Sequence, residues 1–194
     1  MALQTSCKVV ADADGKELVQ HGSTLFPIAC YAEDLTVESV SWHWHEDFEF
    51  VLAAKGTVYA DVNKTRLRLT EGQGVFLNSG VLHAVEPAAE APAFVHSGVF
   101  HPRLVGGMDT IFWQKLVRPM LQPGAPAFFL LNEAVPWQRD VLACLRDAWQ
   151  EVSDEPFDYE NRVRYHLSAA LRLLGTQCVA GKTKVSQQEQ IAAE

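Results

Sequence analysis

The spacing of apolar residues in this chain changes near the middle of the sequence. Between residues 24 and 100 they occur in short runs separated by Gly, Asn and Pro, which is typical of short strands joined by tight turns. The runs predict strands over residues 37–44, 48–53, 57–62, 65–69, 74–77 and 93–100. Asn63 lies between two alternating runs and tolerates the left-handed conformation, so we expect a hairpin turn there. The first half of the chain is therefore predicted to be mainly β.

After residue 107 the apolar residues recur at three- and four-residue spacing, which predicts helices. A first helix is expected over residues 109–117 and is broken by Pro119. A second is expected over residues 135–152, and a third is capped by Asp158 and ends at Gly175. The third helix carries an apolar stripe that includes Val163, Leu167, Leu171 and Leu174. An antiparallel helical pair is thus predicted to follow the β region.

Composition narrows the possible classes of protein. The chain has 194 residues, with 16 basic and 24 acidic side chains and a formal net charge of −8. This acidity argues against a free-standing nucleic-acid-binding module, whose affinity comes from clustered Lys and Arg. The 4 cysteines form no Cys-x-x-Cys pair, and no basic segment followed by an apolar stretch opens the chain. We therefore predict a cytoplasmic protein with reduced thiols and no membrane span.

The most informative stretch of sequence contains His43, His45 and Glu49. Side chains alternate between the two faces of a strand, so these three share one face and are able to point together into a barrel. His83 follows a Gly-containing turn and is placed to approach from a neighbouring strand. Three imidazoles and one carboxylate suit a divalent transition metal such as zinc, iron, nickel or manganese. The alternative is a hydrogen-bonded polar pocket without a metal.

The spacing of these residues resembles the two sequence motifs of cupins. The residues that carry the first motif are His43, His45, Glu49 and Gly56, and those at the spacings of the second are Gly72, Asn78, Gly80 and His83. The second departs from the usual pattern in having Asn78 where many cupins have proline. The resemblance implies a double-stranded β-helix, or jelly-roll barrel, whose interior holds a metal, a small ligand or both.

A finer resemblance is to the N-terminal sensor domain of AraC-type transcriptional regulators. It rests on WHWHEDFEF at residues 42–50, LNSGVLHAV at 77–85, SGVFHP at 97–102 and WQKLVRP at 113–119. In that family the barrel binds a small effector, the helices dimerise, and a separate C-terminal domain binds DNA. The resemblance implies an arm over residues 1–23, an effector-binding barrel over 24–107, a helical dimerisation region over 108–178 and a linker over 179–194 toward a DNA-binding domain absent here.

Several residues outside the motifs remain to be placed. Trp44 has the opposite parity to the histidines, so it either covers the outer face of the barrel or, if the strand bulges, lines the effector cavity. His21 and His166 have no partner in the sequence and are interpreted as surface or interface histidines. The apolar stripe of the third helix is assigned to a homodimer seam, with packing on the chain's own barrel as the alternative.

The sequence thus favours a ligand-sensing, dimerising domain that is not an enzyme. The expected effector-binding residues are His43, His45, Glu49, His83 and Trp44. The effector itself stays open between a sugar, a small acid and an aromatic compound. The second hypothesis is a stand-alone metal-dependent cupin enzyme, a dioxygenase or isomerase, in which the three histidines and Glu49 hold the metal.

Overall fold

A computed structural model describes residues 3–6, 8–88 and 92–191, with backbone only from residue 180 onward. Within these residues, ten strands form two facing sheets. The strands are β1 (Leu3–Gln4), β2 (Ile28–Asp34), β3 (Val40–His43), β4 (Phe48–Lys55), β5 (Thr57–Val62), β6 (Thr65–Thr70), β7 (Gly74–Leu77), β8 (His83–Pro87), β9 (Phe94–Phe100) and β10 (Phe128–Leu131). The expectation of a mainly β chain with C-terminal helices is confirmed.

The larger sheet has the strand order β1-β2-β9-β4-β7-β10, and the smaller has the order β3-β8-β5-β6. All pairings are antiparallel except that of β1 with β2. Asn63 has a φ of 52°, so the predicted left-handed turn joins β5 to β6 and places Val62 opposite Thr65. Gly56, from the first motif, has a φ of 76° in the turn between β4 and β5, a conformation that favours glycine.

Strand β4 is buried on both faces and separates two apolar cores. Phe48 and Phe50 belong to the core between the larger sheet and the helices, together with Phe76 and Phe100. Val51 belongs to a second core, which lies between the two sheets. The strand alternation therefore sets Glu49, between Phe48 and Phe50, on the face that looks into the barrel.

The helices form a layer against the larger sheet. A π-helical turn, Trp113–Val117, leads into α1, Arg118–Leu121, and is followed after β10 by α2, Pro136–Asp154, and α3, Tyr159–Ile191. The predicted break at Pro119 is wrong. Proline lacks an N–H and its ring clashes with the carbonyl four residues before it in a regular helix, and a wider π-turn accommodates both effects.

The predicted end of the third helix at Gly175 is also wrong, because α3 continues to Ile191 through the segment assigned to the linker. The apolar stripe extends past Gly175 to Cys178, which is buried with its Sγ 3.6 Å from Met120 Sδ. This packing outweighs the cost of about 1 kcal/mol for one helical glycine. Residues 192–194 of the predicted linker lie outside the described part of the chain.

The four residues assigned to a homodimer seam lie inside a single chain. Val163, Leu167, Leu171 and Leu174 each have 0% exposure and belong to the core shared with the larger sheet and the other helices. That assignment is wrong, because the stripe already buries its surface mainly against α2, α1 and the π-helical turn of the same chain. None of the described helices combines the length and apolarity needed to cross a membrane.

Candidate metal and effector site

The two sheets bring His43, His45, Glu49 and His83 together at one end of the barrel. His43 on β3 lies directly opposite His83 on β8, and Glu49 reaches the same point from β4 of the other sheet. His45 follows β3 in the turn that leads to β4. All four side chains are buried, and one ligand atom from each lies within 4.8 Å of the others. The four predicted residues are therefore brought together, although by two sheets and a turn rather than by alternation along one strand.

Backbone carbonyls fix the tautomers of the three histidines. The Nδ1 atoms of His43, His45 and His83 lie 2.8, 3.1 and 2.8 Å from the carbonyl oxygens of Ser41, Asp47 and Val81, respectively. A carbonyl oxygen only accepts hydrogen bonds, so each Nδ1 must carry a proton. In the neutral rings each Nε2 then presents a lone pair, which is the arrangement of metal-binding histidines.

Glu49 is the carboxylate on which two of the Nε2 atoms converge. Its Oε2 lies 3.1 Å from His45 Nε2 and 2.8 Å from His83 Nε2. Burial alone would raise the pKa of Glu49, but the neighbouring His83 and His45 outweigh burial and hold it well below its usual value. Glu49 is therefore an ionised carboxylate inside the barrel.

The histidines differ in their protonation. Burial and the neighbouring His83 lower the pKa of His43, so this ring favours its neutral, metal-binding form. Burial also opposes the charge on His45, but its hydrogen bond to Glu49 and the nearby carboxylates outweigh burial and raise the pKa of His45. His45 therefore holds its proton more tightly than His43 does. A metal ion that binds both rings must displace the proton from His45.

The geometry fits a divalent metal ion. His83 Nε2 is buried and, among the described residues, has no hydrogen-bond partner, because its 2.8 Å contact with Glu49 has unsuitable angles. A buried polar atom without a partner is costly, and a metal ion at the centre of the four ligand atoms would satisfy it. Three imidazole nitrogens and a carboxylate oxygen suit zinc, nickel, iron or manganese.

Two further polar residues, which the sequence analysis did not single out, border this cluster. Glu17 and His21, from the segment before β2, are buried, and Glu17 Oε2 lies 2.9 Å from His21 Nε2 and 3.9 Å from His43 Nε2. His21 Nδ1 is 2.8 Å from the Tyr31 hydroxyl. The interpretation of His21 as a surface histidine is therefore wrong. His166, by contrast, lies on α3 with Nδ1 3.7 Å from Asp147 Oδ2.

Trp44 contacts the N-terminal segment. Its indole Nε1 donates a hydrogen bond of 3.1 Å to the carbonyl of Asp14, and Lys16 Nζ lies 5.4 Å from the ring centroid. Trp44 is therefore covered by the N-terminal segment, and it is not among the described residues that line the cavity beside His45. Trp42 points outward and is 48% exposed.

Two cavities border the cluster. The barrel interior beyond His43 and Glu49 contains only about 10 Å³ of open space and is lined mainly by valines. A larger polar cavity of about 380 Å³ lies on the outer side and is lined by Glu17, His21 and His45. Lys16, Glu46, Asp47, His101 and Arg103 complete its charged lining. Space for a small molecule therefore exists on the outer side of the cluster.

Residues 25–158 match the AraC-like ligand binding domain family. The chain belongs to this family. The match spans the barrel from just before β2 through α2, including all four residues of the candidate metal site. The expected relationship to AraC-type sensor domains is thus confirmed.

Similar proteins include an uncharacterised HTH-type transcriptional regulator, YdeC, of Bacillus subtilis, which is 26% identical over 163 residues. That match covers 82% of this chain and 55% of the relative, so the chain spans about half of the relative's length. An apo ToxT variant from Vibrio cholerae is 11% identical, with a TM-score of 0.46, over 73% of this chain and 53% of that one. A predicted oxalate decarboxylase from Thermotoga maritima is 22% identical, with a TM-score of 0.31, over 32% of this chain and 56% of that one.

Proposed function

We propose that this domain senses a small effector for a transcriptional regulator and that His43, His45, Glu49 and His83 hold a divalent transition metal. The observation that carries the proposal is the fixed tautomer of all three histidines. Each donates Nδ1–H to a backbone carbonyl, so Nε2 is the atom that each ring would offer to a metal ion beside the ionised Glu49. A metal held there supplies a Lewis acid and an anchoring point for an oxygen or nitrogen atom of the effector.

The effector is proposed to bind in the cavity of about 380 Å³ beside His45. This volume lies within the usual range for small-molecule sites, whereas the barrel interior is too full for one. Lys16, His101 and Arg103 offer hydrogen-bond donors, and Glu46 and Asp47 offer acceptors. This mixed polar lining favours a sugar or a small acid over an aromatic compound.

The rest of the regulator is part of the same proposal. In a longer regulator a separate domain would bind DNA, because the net charge of −8 makes this domain a poor partner for phosphates. Effector binding would then bias two arrangements of the sensor domain that present the DNA-binding part differently. Because such a regulator acts on DNA, we propose a cytoplasmic location for it.

Metal content tests the proposal directly. Protein purified without a histidine tag should contain about one equivalent of a transition metal, and a chelator should lower its melting temperature. Glu49→Gln should lose the metal and the chelator response. Glu46→Gln is the matched control, since Glu46 is exposed and lies outside the four-residue set. A wild type that binds none of the four candidate metals would overturn the proposal.

The complete four-ligand set also supports the second candidate, a stand-alone metal-dependent enzyme. The two functions differ in what happens to a bound molecule. A sensor returns the effector unchanged, whereas an enzyme converts it in a metal-dependent reaction. Ligands found by thermal shift with the metal-loaded protein should therefore be recovered intact, and their metal-dependent conversion would replace the sensor proposal with the enzyme.

Dimerisation through the helical region completes the proposal. With the stripe of α3 buried, the available surface is the opposite face, where Ile111, Phe112 and Tyr165 are exposed around a groove of about 660 Å³. Large apolar side chains grouped on a surface are typical of protein interfaces. We assign this face to a second copy of the chain, in keeping with the dimerising role of the helices in the AraC-type sensors that it resembles.

A further inference from the structure

The N-terminal segment is fastened across the end of the barrel that holds the metal site. Trp44 pairs with it on both sides: the Trp44 N–H donates to the Gly15 carbonyl at 3.0 Å, and the Glu17 N–H donates to the Trp44 carbonyl at 2.9 Å. The Lys16 side chain adds an ion pair of 2.8 Å with Glu46. These contacts fix the backbone next to Glu17, so its side chain points inward.

The Glu17 carboxylate lies beside the cluster and out of contact with solvent. Its side chain is 1% exposed, and Oε2 lies 2.9 Å from His21 Nε2 and 3.9 Å from His43 Nε2. His21 is held in turn by the Tyr31 hydroxyl. Glu17 Oε2 therefore lies between His21 and His43.

We propose that Glu17 is an additional ligand of the metal ion, delivered by the N-terminal segment, so that metal binding ties this segment to the barrel. The inference rests on the proposed metal site. Ligand atoms about 2.1 Å from a shared ion lie about 3–3.5 Å apart, so Glu17 Oε2, at 3.9 Å from His43 Nε2, must move toward the ion to bind it.

Charge supports the same assignment. Three neutral imidazoles with Glu49 alone leave a divalent ion with a net positive charge in a buried site. Adding the Glu17 carboxylate brings the charge of the ligand set to −2, which neutralises a divalent ion and avoids the cost of an uncompensated buried charge. His21 then acts as a positioning residue that orients the carboxylate, as outer-shell partners of metal ligands do.

The number of protein ligands favours some metal ions over others. Five protein ligands exceed the four of a structural zinc site and suit ions that accept five or six ligands, such as iron, manganese or nickel. Glu17 and His45 both line the cavity of about 380 Å³, which would give a further ligand, such as an effector atom, access to the ion. The N-terminal segment would thus be fixed by the metal beside the effector cavity.

Cobalt binding to the whole chain tests this inference. Co²⁺ is the probe because the intensity of its visible absorption falls when the coordination number rises from four to five or six. Wild-type protein should give weak bands, and Glu17→Gln should give either stronger four-coordinate bands or a loss of affinity of about 10–100-fold. Asp14→Asn, which removes an exposed carboxylate from the same segment three residues before Glu17, should bind Co²⁺ as the wild type does.

Hydrogen exchange of the wild type and of Glu17→Gln gives a second readout. Co²⁺ should slow exchange of the amides in residues 14–21, and Glu17→Gln should abolish that protection while its metal-free exchange stays close to that of the wild type. Wild type and Glu17→Gln that bind Co²⁺ with equal affinity, spectrum and exchange would overturn the inference and leave the four-residue site intact. A wild type that binds no Co²⁺ would overturn the proposed function as well.

Discussion

The two faces of β4 contain opposite kinds of side chain within three consecutive residues. Phe48 and Phe50 face the helices and pack in an aromatic core with no exposure, whereas Glu49 between them faces the barrel and meets two histidines. One face buries apolar area, which stabilises the fold by about 25 cal/mol per Å². The other buries a charge, which stabilises little and is useful for binding.

This difference shows how the fold offsets the cost in stability of burying a charged, polar site. Of the strands that carry the cluster, β4 has its reverse face packed by helices, so the position of Glu49 is set by a core in which the cluster takes no part. Gly98 illustrates the tightness of that core, since a Cβ there would come within 2.4 Å of the Phe50 ring. We expect mutations on the two faces of β4 to have separable effects on stability and on binding.

The largest effect is expected on the helix-facing side, for Phe50→Ala. Phe50 is fully buried, so its truncation should lower the free energy of unfolding by about 3–5 kcal/mol through lost burial and the cavity left behind. Urea denaturation measures this loss. Metal affinity of the remaining folded protein should fall much less than in Glu49→Gln, because the Phe50 side chain lies on the opposite face of β4. A large loss of affinity at low temperature, where the variant is folded, would show that the two faces are not independent.

The converse variant, Glu49→Gln, should act on binding. The amide keeps the volume of the carboxyl group but loses its charge, so we expect metal affinity to fall by about 100-fold, or about 2.7 kcal/mol. Competition with a chelator of known affinity gives the value. The unfolding free energy of the metal-free protein should change much less than in Phe50→Ala, and a loss of similar size would contradict the division of roles.

The side of β4 on which each residue lies could be predicted, because it follows from the local alternation of side chains along the strand. Alternation over six residues assigns Phe48 and Phe50 to one side and Glu49 to the other, and the motif spacing adds His83. The hairpin at Asn63 was likewise predicted from turn chemistry. Strand β10 was missed, since Phe128–Leu131 is too short and too close to helical segments to show a period of its own.

Glu17 and His21 were not predictable in this way. They lie more than twenty residues before His43 in a polar segment without periodicity, and only the pairing of that segment with Trp44 brings them to the cluster. The assignment of the α3 stripe to a dimer seam failed for a related reason. Periodicity shows that a helix has an apolar face, but it does not show whether the chain itself covers that face.

A smaller effect is expected for His45→Gln, whose influence on stability should depend on pH. The pKa of His45 is raised because Glu49 outweighs its burial, so the pair contributes stability that is present below the usual histidine pKa of about 6.5 and is lost as pH rises through the raised value. The destabilisation of metal-free protein by His45→Gln should therefore be about 1–2 kcal/mol at about pH 6 and shrink toward pH 9. Glu49 stays ionised over this range because its pKa is well below the usual value.

Chemical denaturation in the presence of a chelator measures this dependence, and the C2 proton of His45 in NMR spectra reports its pKa directly. His101→Gln is the control, because His101 lies at the rim of the cavity and is not among the four ligands. A destabilisation by His45→Gln that grows with pH would contradict the assigned direction. It would mean that burial, rather than Glu49, has the larger influence on the pKa of His45.

The smallest effect on stability is expected for Tyr165→Glu on α3, which extends the comparison of faces to a helix. Leu167 and Leu171 face the core with no exposure, whereas Tyr165 is 70% exposed beside the groove assigned to the second copy. The protomer should change by less than about 0.5 kcal/mol, since a surface substitution breaks no buried contact. Light scattering should nevertheless show a shift from dimer to monomer, because the new charge would be desolvated in the interface.

Phe157→Glu is the matched control, as Phe157 is 97% exposed and lies outside the groove. A monomeric wild type, or a variant as dimeric as the control, would remove this face from the dimer and restrict the division of roles to β4.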